Sequence, residues 1–440
     1  MRSRSSADPP VPAEDSCRRC PSALGGAGGR APAACYTRPV RADPMLAGLV
    51  VLDLTRVLAG PYCTRLLADL GARVVKIEQP GRGDEMRRGP HQLESQREDQ
   101  STYFIRCNAG KESVALDLAR PEAQAVVLDL ARRADVVVEN FAPGVAARLG
   151  CDHAALAAVK PDLVYCSISG YGQTGPWRQR PAFAHVINAA SGLMHLERGD
   201  DPAPRAANLQ AADVLAGTHA FGAIVAALWR RARTGQGARL DVSMLECLVA
   251  AEDATYGSVL NGGEEYGAPR AGMIVHGVGG RHLALQTAGG ADIWPRLAHA
   301  MGRPELLEDA RFATPRARRE HWSAMREVIT GWIDGFASVD EALDALMAAR
   351  VPCAPVLTPR EVIAHPHLEA RGFFPAVPHP GRGAVRVTAT PFHVDGAAPG
   401  PAGAAPYRVG EHTRAVLVDL AGYAAARIDE LLAHGVAVAP

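Results

Sequence analysis

A single carboxylate, Asp213, stands where the chain is predicted to begin a long helix. Apolar residues recur at helical spacing from Val214 to Leu228, the last turn is rich in arginine and Gly235 ends the run, so we predict a helix over about 211–233. Free backbone N–H groups and the helix dipole favour an ionised carboxylate in such a first turn. By itself this pattern predicts an N-terminal cap, and the surrounding sequence decides whether Asp213 also does chemistry.

The elements that would position such a group form a repeating strand–helix pattern. Apolar strands are predicted at Leu49–Leu54, Ala72–Glu78, Ser113–Asp117, Asp135–Phe141, Leu163–Ser169 and Ala238–Ser243. Continuous apolar strands that alternate with helices are typical of a parallel sheet covered on both faces. Ligands bind at the carboxyl ends of such strands, so Asn140, Phe141 and the glycine-rich loop Gly170–Pro176 are candidate site residues.

The first strand, turn and helix imitate a dinucleotide-binding unit, down to an acid, Glu78, at the end of the second strand. However, the turn contains one glycine, Gly60, where close approach to a pyrophosphate needs three. We therefore predict no nicotinamide cofactor, and we expect Glu78 to be structural.

The composition of the 440 residues, 48% hydrophobic and 21% charged, is that of an ordinary globular protein. A formal net charge of zero gives no sign of a nucleic-acid or anionic-membrane partner, and no apolar run reaches the roughly 18–20 residues of a membrane span. The nine scattered cysteines are expected to be free thiols in a reducing cytoplasm. Cys17 and Cys20 have metal-site spacing, but no second pair or nearby histidine supports them, so we predict no metal site.

Residues 1–44 differ from the rest of the chain. They are rich in Arg, Pro, Ser, Gly and Ala with almost no apolar periodicity, and are predicted to be a disordered extension. Met45 immediately precedes the first orderly strand, so we hypothesise that translation begins there. An intact mass of the protein from its native host that includes residues 1–44 would reject this hypothesis.

The remaining chain is predicted to divide into a large and a small part. Residues 45–250 are predicted to form a large Rossmann-like domain, residues 251–269 a linker and residues 270–357 a smaller α/β domain. A long helix predicted near Met244–Leu260 crosses the boundary between the large domain and the linker. Residues 358–440 lead back to the large domain and end in a pair of helices. The expected fold class is therefore α/β, with a parallel sheet in the large domain.

Several well-separated motifs together resemble one family. They are Val51-Leu-Asp-Leu-Thr-Arg-Val-Leu-Ala-Gly-Pro61, Gly71-Ala-Arg-Val-Val-Lys-Ile-Glu78, Val138-Glu-Asn-Phe-Ala-Pro-Gly144, Ile168-Ser-Gly-Tyr-Gly-Gln-Thr-Gly-Pro176, Ser191-Gly-Leu-Met194, Arg230–Gly237 and Gly410-Glu-His-Thr413. Their order and spacing over Met45–Val438 resemble the class III CoA-transferases, the family of formyl-CoA:oxalate and carnitine CoA-transferases that also includes the α-methylacyl-CoA racemases. The resemblance implies a ring-like chain that interlocks in a homodimer.

The resemblance also implies a role for the helix-start carboxylate. In these transferases the nucleophile is an aspartate in an Asp-x-x-x-Gly element downstream of an aromatic residue; Asp213-Val-Leu-Ala-Gly217 fits the element and Phe183 holds the aromatic position. A carboxylate at a helix start can be cap and nucleophile at once. The expected intermediates are a mixed anhydride and an aspartyl-CoA thioester, which keep the thioester's energy while CoA moves between two acids.

Coenzyme A is implied as a substrate, with no permanently bound cofactor. The residues expected around it are Leu116, Asn140 and Phe141 at the nucleotide, Arg148 at the phosphates, Val57 and Leu58 at the thioester arm, and Arg180 and Phe183 further along. A guanidinium can fork onto a phosphate, which suits Arg148. Arg56 and Arg180 are expected to receive the carboxylates of the reacting acids.

Two positions depart from the family pattern. Leu58 stands where several relatives have glutamine, so an amide that would help to hold an intermediate is missing. Ala184 stands where the racemases have an aspartate, which argues against racemisation because that reaction needs two acid/base groups. His185 and His153 nevertheless keep a racemase open as an alternative.

The expected activity is CoA transfer from an acyl-CoA, such as succinyl-CoA, to a small carboxylic or dicarboxylic acid in the cytoplasm. The region Gly272–His282 looks shortened, with Gly277–Gly280 as the remnant of a loop that shields the site; if it leaves Asp213 open, the anhydride leaks to water. Two alternatives stay open: an α-methylacyl-CoA racemase or epimerase, and a catalytically weak CoA-binding protein, which Leu58 and the shortened region favour.

Overall fold

The structure, a computed structural model, describes residues 44–198, 201–206, 209–252, 254–265, 271–288, 290 and 292–440. Most of the predicted extension 1–44, including Cys17 and Cys20, lies outside the described residues, as does part of the predicted linker 251–269.

The six predicted strands of the large domain are present in the predicted order, β1 to β6. The strands are β1 (Val50–Asp53), β2 (Arg73–Glu78), β3 (Lys111–Leu116), β4 (Val136–Glu139), β5 (Val164–Ser169), β6 (Ala238–Ser243), β7 (Met273–Val278), β8 (Arg281–Gln286), β9 (Cys353–Pro355), β10 (Ala376–His379), β11 (Gly383–Arg386) and β12 (Ala437–Val438). The helices are α1 (Ala59–Asp69), α2 (Thr102–Asn108), α3 (Pro121–Ala131), α4 (Val145–Arg148), α5 (His153–Val159), α6 (Ala184–Ala190), α7 (Leu193–Leu196), α8 (Ala211–Thr234), α9 (Met244–Ala250), α10 (Thr255–Leu260), α11 (Ile293–Ala300), α12 (Pro315–Glu320), α13 (Trp322–Ile333), α14 (Val339–Ala348), α15 (Pro359–Ile363), α16 (Pro366–Ala370), α17 (Thr413–Asp419) and α18 (Ala425–Ala433), with 3-10 turns at Glu85–Arg88 and Pro304–Leu307.

The predicted parallel sheet is confirmed. Its order in the described part of the chain is β12-β3-β2-β1-β4-β5-β6, and only β12 runs antiparallel to its neighbour. Strand β1 lies in the middle, with Leu52 opposite Val75 of β2 on one side and Val137 of β4 on the other. The chain order reverses between β1 and β4, and in such sheets the loops that follow these two strands enclose a ligand-binding crevice.

The sheet is covered on both faces because its strands are apolar throughout. On one face, α1, α8 and α9 pack onto side chains such as Val51 and Val138. On the other face, α3, α5, α17 and α18 pack onto Leu52, Val75 and Val137. Successive side chains of a strand point to opposite faces, so each strand contributes to both cores.

Helix α8 extends over Ala211–Thr234, which confirms the predicted helix. Its small residues let it approach α1 closely: a Cβ on Gly217 would lie 2.6 Å from the Ala59 carbonyl oxygen. Ala216 and Ala220 have no exposed surface. By length and composition this segment also passes the test for a membrane span, which corrects the expectation that no segment would; its buried face packs as a core helix does.

Residues 271–357 form a smaller sheet, β7-β8-β9, that packs with α11, α13 and α14 around a core containing Trp294 and Phe312. Strand β7 was not predicted, because the glycines around it mask the alternation of a strand. Gly279 and Gly280 form the β7–β8 turn, and Gly279 lies close to Ala337. The predicted long helix near Met244–Leu260 is instead two helices, α9 and α10. The domain boundaries at 250, 269 and 357 remain predictions.

The C-terminal segment returns to the large sheet. Strand β12 pairs with β3, and the Gly410-Glu-His-Thr413 motif forms hydrogen bonds with residues of both strands. Thr413 Oγ1 accepts the Ala115 N–H at 3.1 Å and donates to the Val438 carbonyl at 2.7 Å, and the Gly410 N–H donates to Ser113 Oγ at 2.8 Å. This motif therefore has a structural role.

Candidate active site

Buried charges anchor the turn that follows β1. Lys111 Nζ donates to Asp53 Oδ2 at 2.9 Å and to Thr64 Oγ1 at 2.8 Å, while Lys76 Nζ donates to the Thr55 carbonyl oxygen at 2.6 Å. Burial alone would raise the pKa of Asp53, but the ammonium groups of Lys111 and Lys76 hold it well below its usual range. The Thr55 N–H donates to Asp53 Oδ1 at 2.9 Å, so an ionised carboxylate fixes the start of the turn.

The next residues of the turn are held from both neighbouring strands. Asn140, after β4, accepts the Arg56 N–H at 2.9 Å and donates to the Arg56 carbonyl at 2.8 Å. Asp84, after β2, accepts the Val57 N–H through Oδ1 at 3.2 Å, and its Oδ2 lies 3.0 Å from Lys76 Nζ. Val57 has a φ of 69°, in the left-handed region where a β-branched residue is rare.

The turn delivers a backbone amide to the predicted nucleophile. Leu58 precedes α1 without any side-chain cap, and Ala59, the first residue of the helix, lies against α8 at Gly217, one turn after Asp213. The Ala59 backbone N–H lowers the pKa of the Asp213 carboxyl. Asp213 lies in the first turn of α8, so the starts of two helices meet at one carboxylate. Burial raises the pKa of Asp213 to about 6, while the Ala59 amide, the Asp213 amide and the nearby His185 oppose the rise. The burial effect outweighs both helix starts, yet the carboxylate is mostly ionised at neutral pH.

A cavity of about 710 Å³ opens at the carboxyl ends of β1, β2 and β3 and along the segment after β4. Leu116 and Phe141, both predicted to contact the nucleotide, lie in its wall. Charged residues of both signs also line it: Arg56, Lys76, Arg82, Arg88, Glu78, Asp84, Glu85 and Asp117. Of the cations, Arg82 and Arg88 are exposed, whereas Lys76 is buried and paired with Asp84. This is the crevice expected where the strand order reverses.

The other residues predicted to contact CoA, among them Leu58, Arg148, Arg180 and Phe183, do not line this cavity. Leu58 is buried, and Arg148 is exposed on α4 and does not line the cavity. Arg180 is exposed, with its guanidinium carbon 3.9 Å from the centre of the Trp177 ring. Phe183 is 68% exposed immediately before α6. Asp213 and the predicted turn are thus brought together, whereas Arg148, Arg180 and Phe183 point to open surface.

The two histidines that kept a racemase open are separated. His185 lies near Asp213. His153 packs edge-on against Tyr165, 5.7 Å between ring centres, and Tyr165 belongs to the core on the sheet face opposite α8. Ala184 is buried. The pair His153 and His185 therefore cannot flank one carbon atom beside Asp213.

Several residues that shape the site were not foreseen. Asp84 follows a glycine-rich loop that reads as an ordinary turn. Lys76 and Lys111 are two of three lysines among 47 basic residues, and both are fully buried in the anchor of the turn. The rarity of lysine in this arginine-rich chain was the available sign. Glu78 is bonded to Arg87 in a buried ion pair of 2.6 Å, in keeping with its expected structural role.

Comparisons with known proteins agree on one family. The model of CoA-transferase family III matches residues 46–413. Succinyl-CoA:glutarate CoA-transferase of Mus musculus is 32% identical over 407 residues, which cover 89% of this chain and 90% of the relative. Formyl-CoA:oxalate CoA-transferase of Streptomyces coelicolor is 35% identical over 369 residues, which cover 79% of this chain and 88% of the relative. The solved structure of a CaiB/BaiF family protein from Brucella suis matches with a TM-score of 0.72 and 31% identity, covering 86% of this chain and all of that one.

Proposed function

The chain belongs to CoA-transferase family III. We propose that it moves CoA from an acyl-CoA, such as succinyl-CoA, to a small carboxylic or dicarboxylic acid, and that Asp213 is the nucleophile. The observation that carries the proposal is the setting of Asp213: a partly buried carboxylate with a pKa near 6, facing the Ala59 amide at the meeting point of two helix starts. Such a group is ionised at neutral pH yet poorly hydrated, and both properties favour nucleophilic attack.

The first half of the reaction transfers CoA to the enzyme. The Asp213 carboxylate attacks the carbonyl carbon of the donor thioester, the C–S bond breaks, and CoA leaves as a thiolate. A mixed anhydride now joins the donor acyl group to Asp213. The thiolate attacks the Asp213 carbonyl carbon of this anhydride, which releases the donor acid with one oxygen from Asp213 and forms an aspartyl-CoA thioester.

The second half repeats these steps with the acceptor acid. Its carboxylate attacks the aspartyl-CoA carbonyl and expels the thiolate, and the thiolate then attacks the acceptor's carbonyl carbon. The products are a new acyl-CoA and a free Asp213 that carries one oxygen from the acceptor. A serine in this position would form an ordinary ester, which does not retain enough energy to re-form a thioester.

The Ala59 amide has a direct part in this scheme. Each attack on the Asp213 carbonyl creates a negative oxygen at the position where the carboxylate oxygen was, and a fixed N–H donor there stabilises it. The start of α1 adds its dipole, and it has no side-chain cap that would compete.

The 710 Å³ cavity is the proposed seat of the CoA nucleotide. Leu116 and Phe141 supply apolar surface for the adenine, and the exposed Arg82 and Arg88 in the wall suit phosphates. Arg148 is proposed to reach the phosphates from the cavity rim, and Asn140, Val57 and Leu58 to lie along the thioester arm. The cavity volume lies within the usual range for ligand pockets of about 300–1,000 Å³.

The acids are proposed to bind through Arg56 and Arg180. Arg56 pairs with Glu85 at 3.2 Å on the open surface, an ion pair that a substrate carboxylate can displace at little cost. Arg180 rests on Trp177 with its donors free in the described structure. Names of relatives that pair succinyl-CoA with glutarate support a dicarboxylate among the substrates.

We extend the proposal to a cytoplasmic, interlocked homodimer. Leu209, Trp229 and Phe183 expose 73%, 67% and 68% of their surface. Large apolar side chains that one chain leaves exposed can be covered by a second copy. Sedimentation of the purified chain tests the dimer.

The function is tested with succinyl-CoA and a panel of mono- and dicarboxylic acids in heavy water, with all acyl-CoA products identified by mass. A new acyl-CoA that appears only with a particular acid supports transfer and names the acceptor. Deuterium gained by a branched acyl-CoA without transfer would identify a racemase, and binding of CoA without turnover would identify the weak CoA-binding alternative. Asp213→Ala, with an unchanged circular dichroism spectrum, is expected to abolish transfer.

A further inference from the structure

The turn between β1 and α1 adopts a conformation that its sequence does not favour. Val57 has a φ of 69° and is neither glycine nor asparagine. A β-branched side chain in the left-handed region is an energetic outlier and persists only where the surroundings over-determine it. Such strain is concentrated at functional sites.

Two side chains hold Val57 in this conformation by hydrogen bonds to the backbone from opposite sides of the turn. Asn140 uses both its carbonyl oxygen and its amide nitrogen on the backbone of Arg56, at 2.9 and 2.8 Å. Asp84 takes the Val57 N–H at 3.2 Å. Since β1 lies between β2 and β4, the residues that follow these strands are placed on either side of the turn.

Asp84 is itself fixed. Its N–H donates to Glu78 at 2.9 Å, its Oδ1 also caps the following 3-10 turn through the Met86 N–H at 3.0 Å, and its Oδ2 pairs with Lys76 at 3.0 Å. All of these partners but Met86 are buried. Buried partners therefore hold Asp84 in place, and Asp84 and Asn140 together hold the turn.

The consequence lies two residues further on. The left-handed step at Val57 comes two residues before Ala59, where α1 begins, and Ala59 packs against Gly217 of α8, one helical turn after Asp213. We infer that Asp84 and Asn140 are positioning residues of the transfer reaction, which hold Val57 in its strained conformation and thereby aim the Ala59 amide at the nucleophile. This inference rests on the proposed role of Asp213, and it assigns to Asn140 a task distinct from contact with CoA.

The decisive variants are Asn140→Ala and the double variant Asn140→Ala/Val57→Gly. Without the two hydrogen bonds of Asn140, Val57 is expected to relax and the Ala59 N–H to move away from Asp213. We therefore expect kcat to fall about 10- to 100-fold, with a smaller change in KM for the acyl-CoA. The acid limb of the kcat–pH profile is expected to move to higher pH than in the parent, because an ionised carboxylate has lost a donor. Glycine adopts positive φ without strain, so Val57→Gly is expected to restore most of the lost kcat.

Asn261→Ala is the matched control, because Asn261 is exposed and also donates to a backbone carbonyl, that of Gly257 at 2.7 Å. It is expected to change neither kcat nor the pH profile. A rise in KM for the acyl-CoA that Val57→Gly does not reverse would overturn the proposal and leave Asn140 as a substrate contact. An unchanged kcat and pH profile in Asn140→Ala would overturn it as well.

Two measurements without substrate separate this inference from the proposed function. A crystal structure of Asn140→Ala should show Val57 at negative φ, and a carbon-13 titration of the Asp213 carboxyl, assigned by comparison with Asp213→Asn, should show a pKa above that of the parent. If the parent transfers no CoA, these measurements still decide whether the hydrogen bonds of Asn140 direct the Ala59 N–H toward Asp213. If Val57 keeps its conformation and the Asp213 pKa is unchanged, the positioning role is refuted whatever the activity.

Discussion

Replacing Asp213 with asparagine is expected to remove transfer and, at alkaline pH, to stabilise the fold. Two effects compete at this carboxyl: burial penalises its charge, and two helix starts favour it. The helix starts contribute about 0.3–1 kcal/mol each. Burial outweighs them, because the pKa rises from 3.8 to about 6.

The sign follows from which state holds the proton more tightly. The folded chain binds the Asp213 proton more strongly than the unfolded chain, so folding carries a penalty once the unfolded chain ionises. At 1.36 kcal/mol per pH unit, the full penalty is about 3 kcal/mol above pH 6. It fades as the pH falls from 6 to 3.8 and is absent below that value. Asparagine has the same shape and carries no charge.

Equilibrium urea unfolding of Asp213→Asn and the parent, at about pH 8 and about pH 4, measures this difference. The variant should be more stable by up to about 3 kcal/mol at the higher pH, and the two should converge at the lower pH. A difference that does not change with pH, or a parent that is the more stable protein at pH 8, would refute the view that burial dominates at Asp213.

Three further predictions concern the frame of the site. Lys111→Met leaves the buried Asp53 charge without its main partner and should cost about 3–5 kcal/mol in urea unfolding; a cost below about 1 kcal/mol would show that the pair is not needed. Gly217→Ala forces a Cβ to within 2.6 Å of a backbone oxygen of α1 and should destabilise by about 1–3 kcal/mol, whereas Gly222→Ala on the open face of α8 should stabilise by up to about 1 kcal/mol. Equal effects would contradict the close packing of α8 on α1. Phe141→Ala should raise KM for the acyl-CoA about tenfold by removing a surface for the adenine, and an unchanged KM in steady-state kinetics would place the nucleotide elsewhere.

Much of the large sheet could be predicted, because strands buried on both faces leave continuous apolar runs in the sequence. Helix α8 was equally accessible: Val214 to Leu228 follow the helical repeat and Gly235 ends it. Once the strands were placed, the rule that ligands bind at their carboxyl ends pointed to Asn140 and Phe141. Phe141 does line the cavity between the strand ends.

The conformation of the turn could not be predicted. Nothing in Arg56-Val57-Leu58 indicates a positive φ, since that property usually belongs to glycine. It arises here from Asn140 and Asp84, which come from other loops and meet only in the folded sheet. Strand β7 was missed for the opposite reason: local glycines suggested a loop where pairing with β8 imposes a strand. Tertiary contacts overrule local preference in both cases.

The central claim is that Asp213 is covalently involved, and oxygen transfer tests it most directly. The parent protein is incubated with succinyl-CoA and an acceptor acid labelled with oxygen-18 in its carboxyl group, and then digested with trypsin. The peptide 206–230 contains Asp213 as its only side-chain carboxyl, so its mass reports the label. The proposed mechanism predicts oxygen-18 in this peptide, located at Asp213 by fragmentation, and none when the donor is omitted. Formation of the new acyl-CoA without label in the peptide would contradict the mechanism, because direct transfer between the two acids leaves the oxygens of Asp213 untouched.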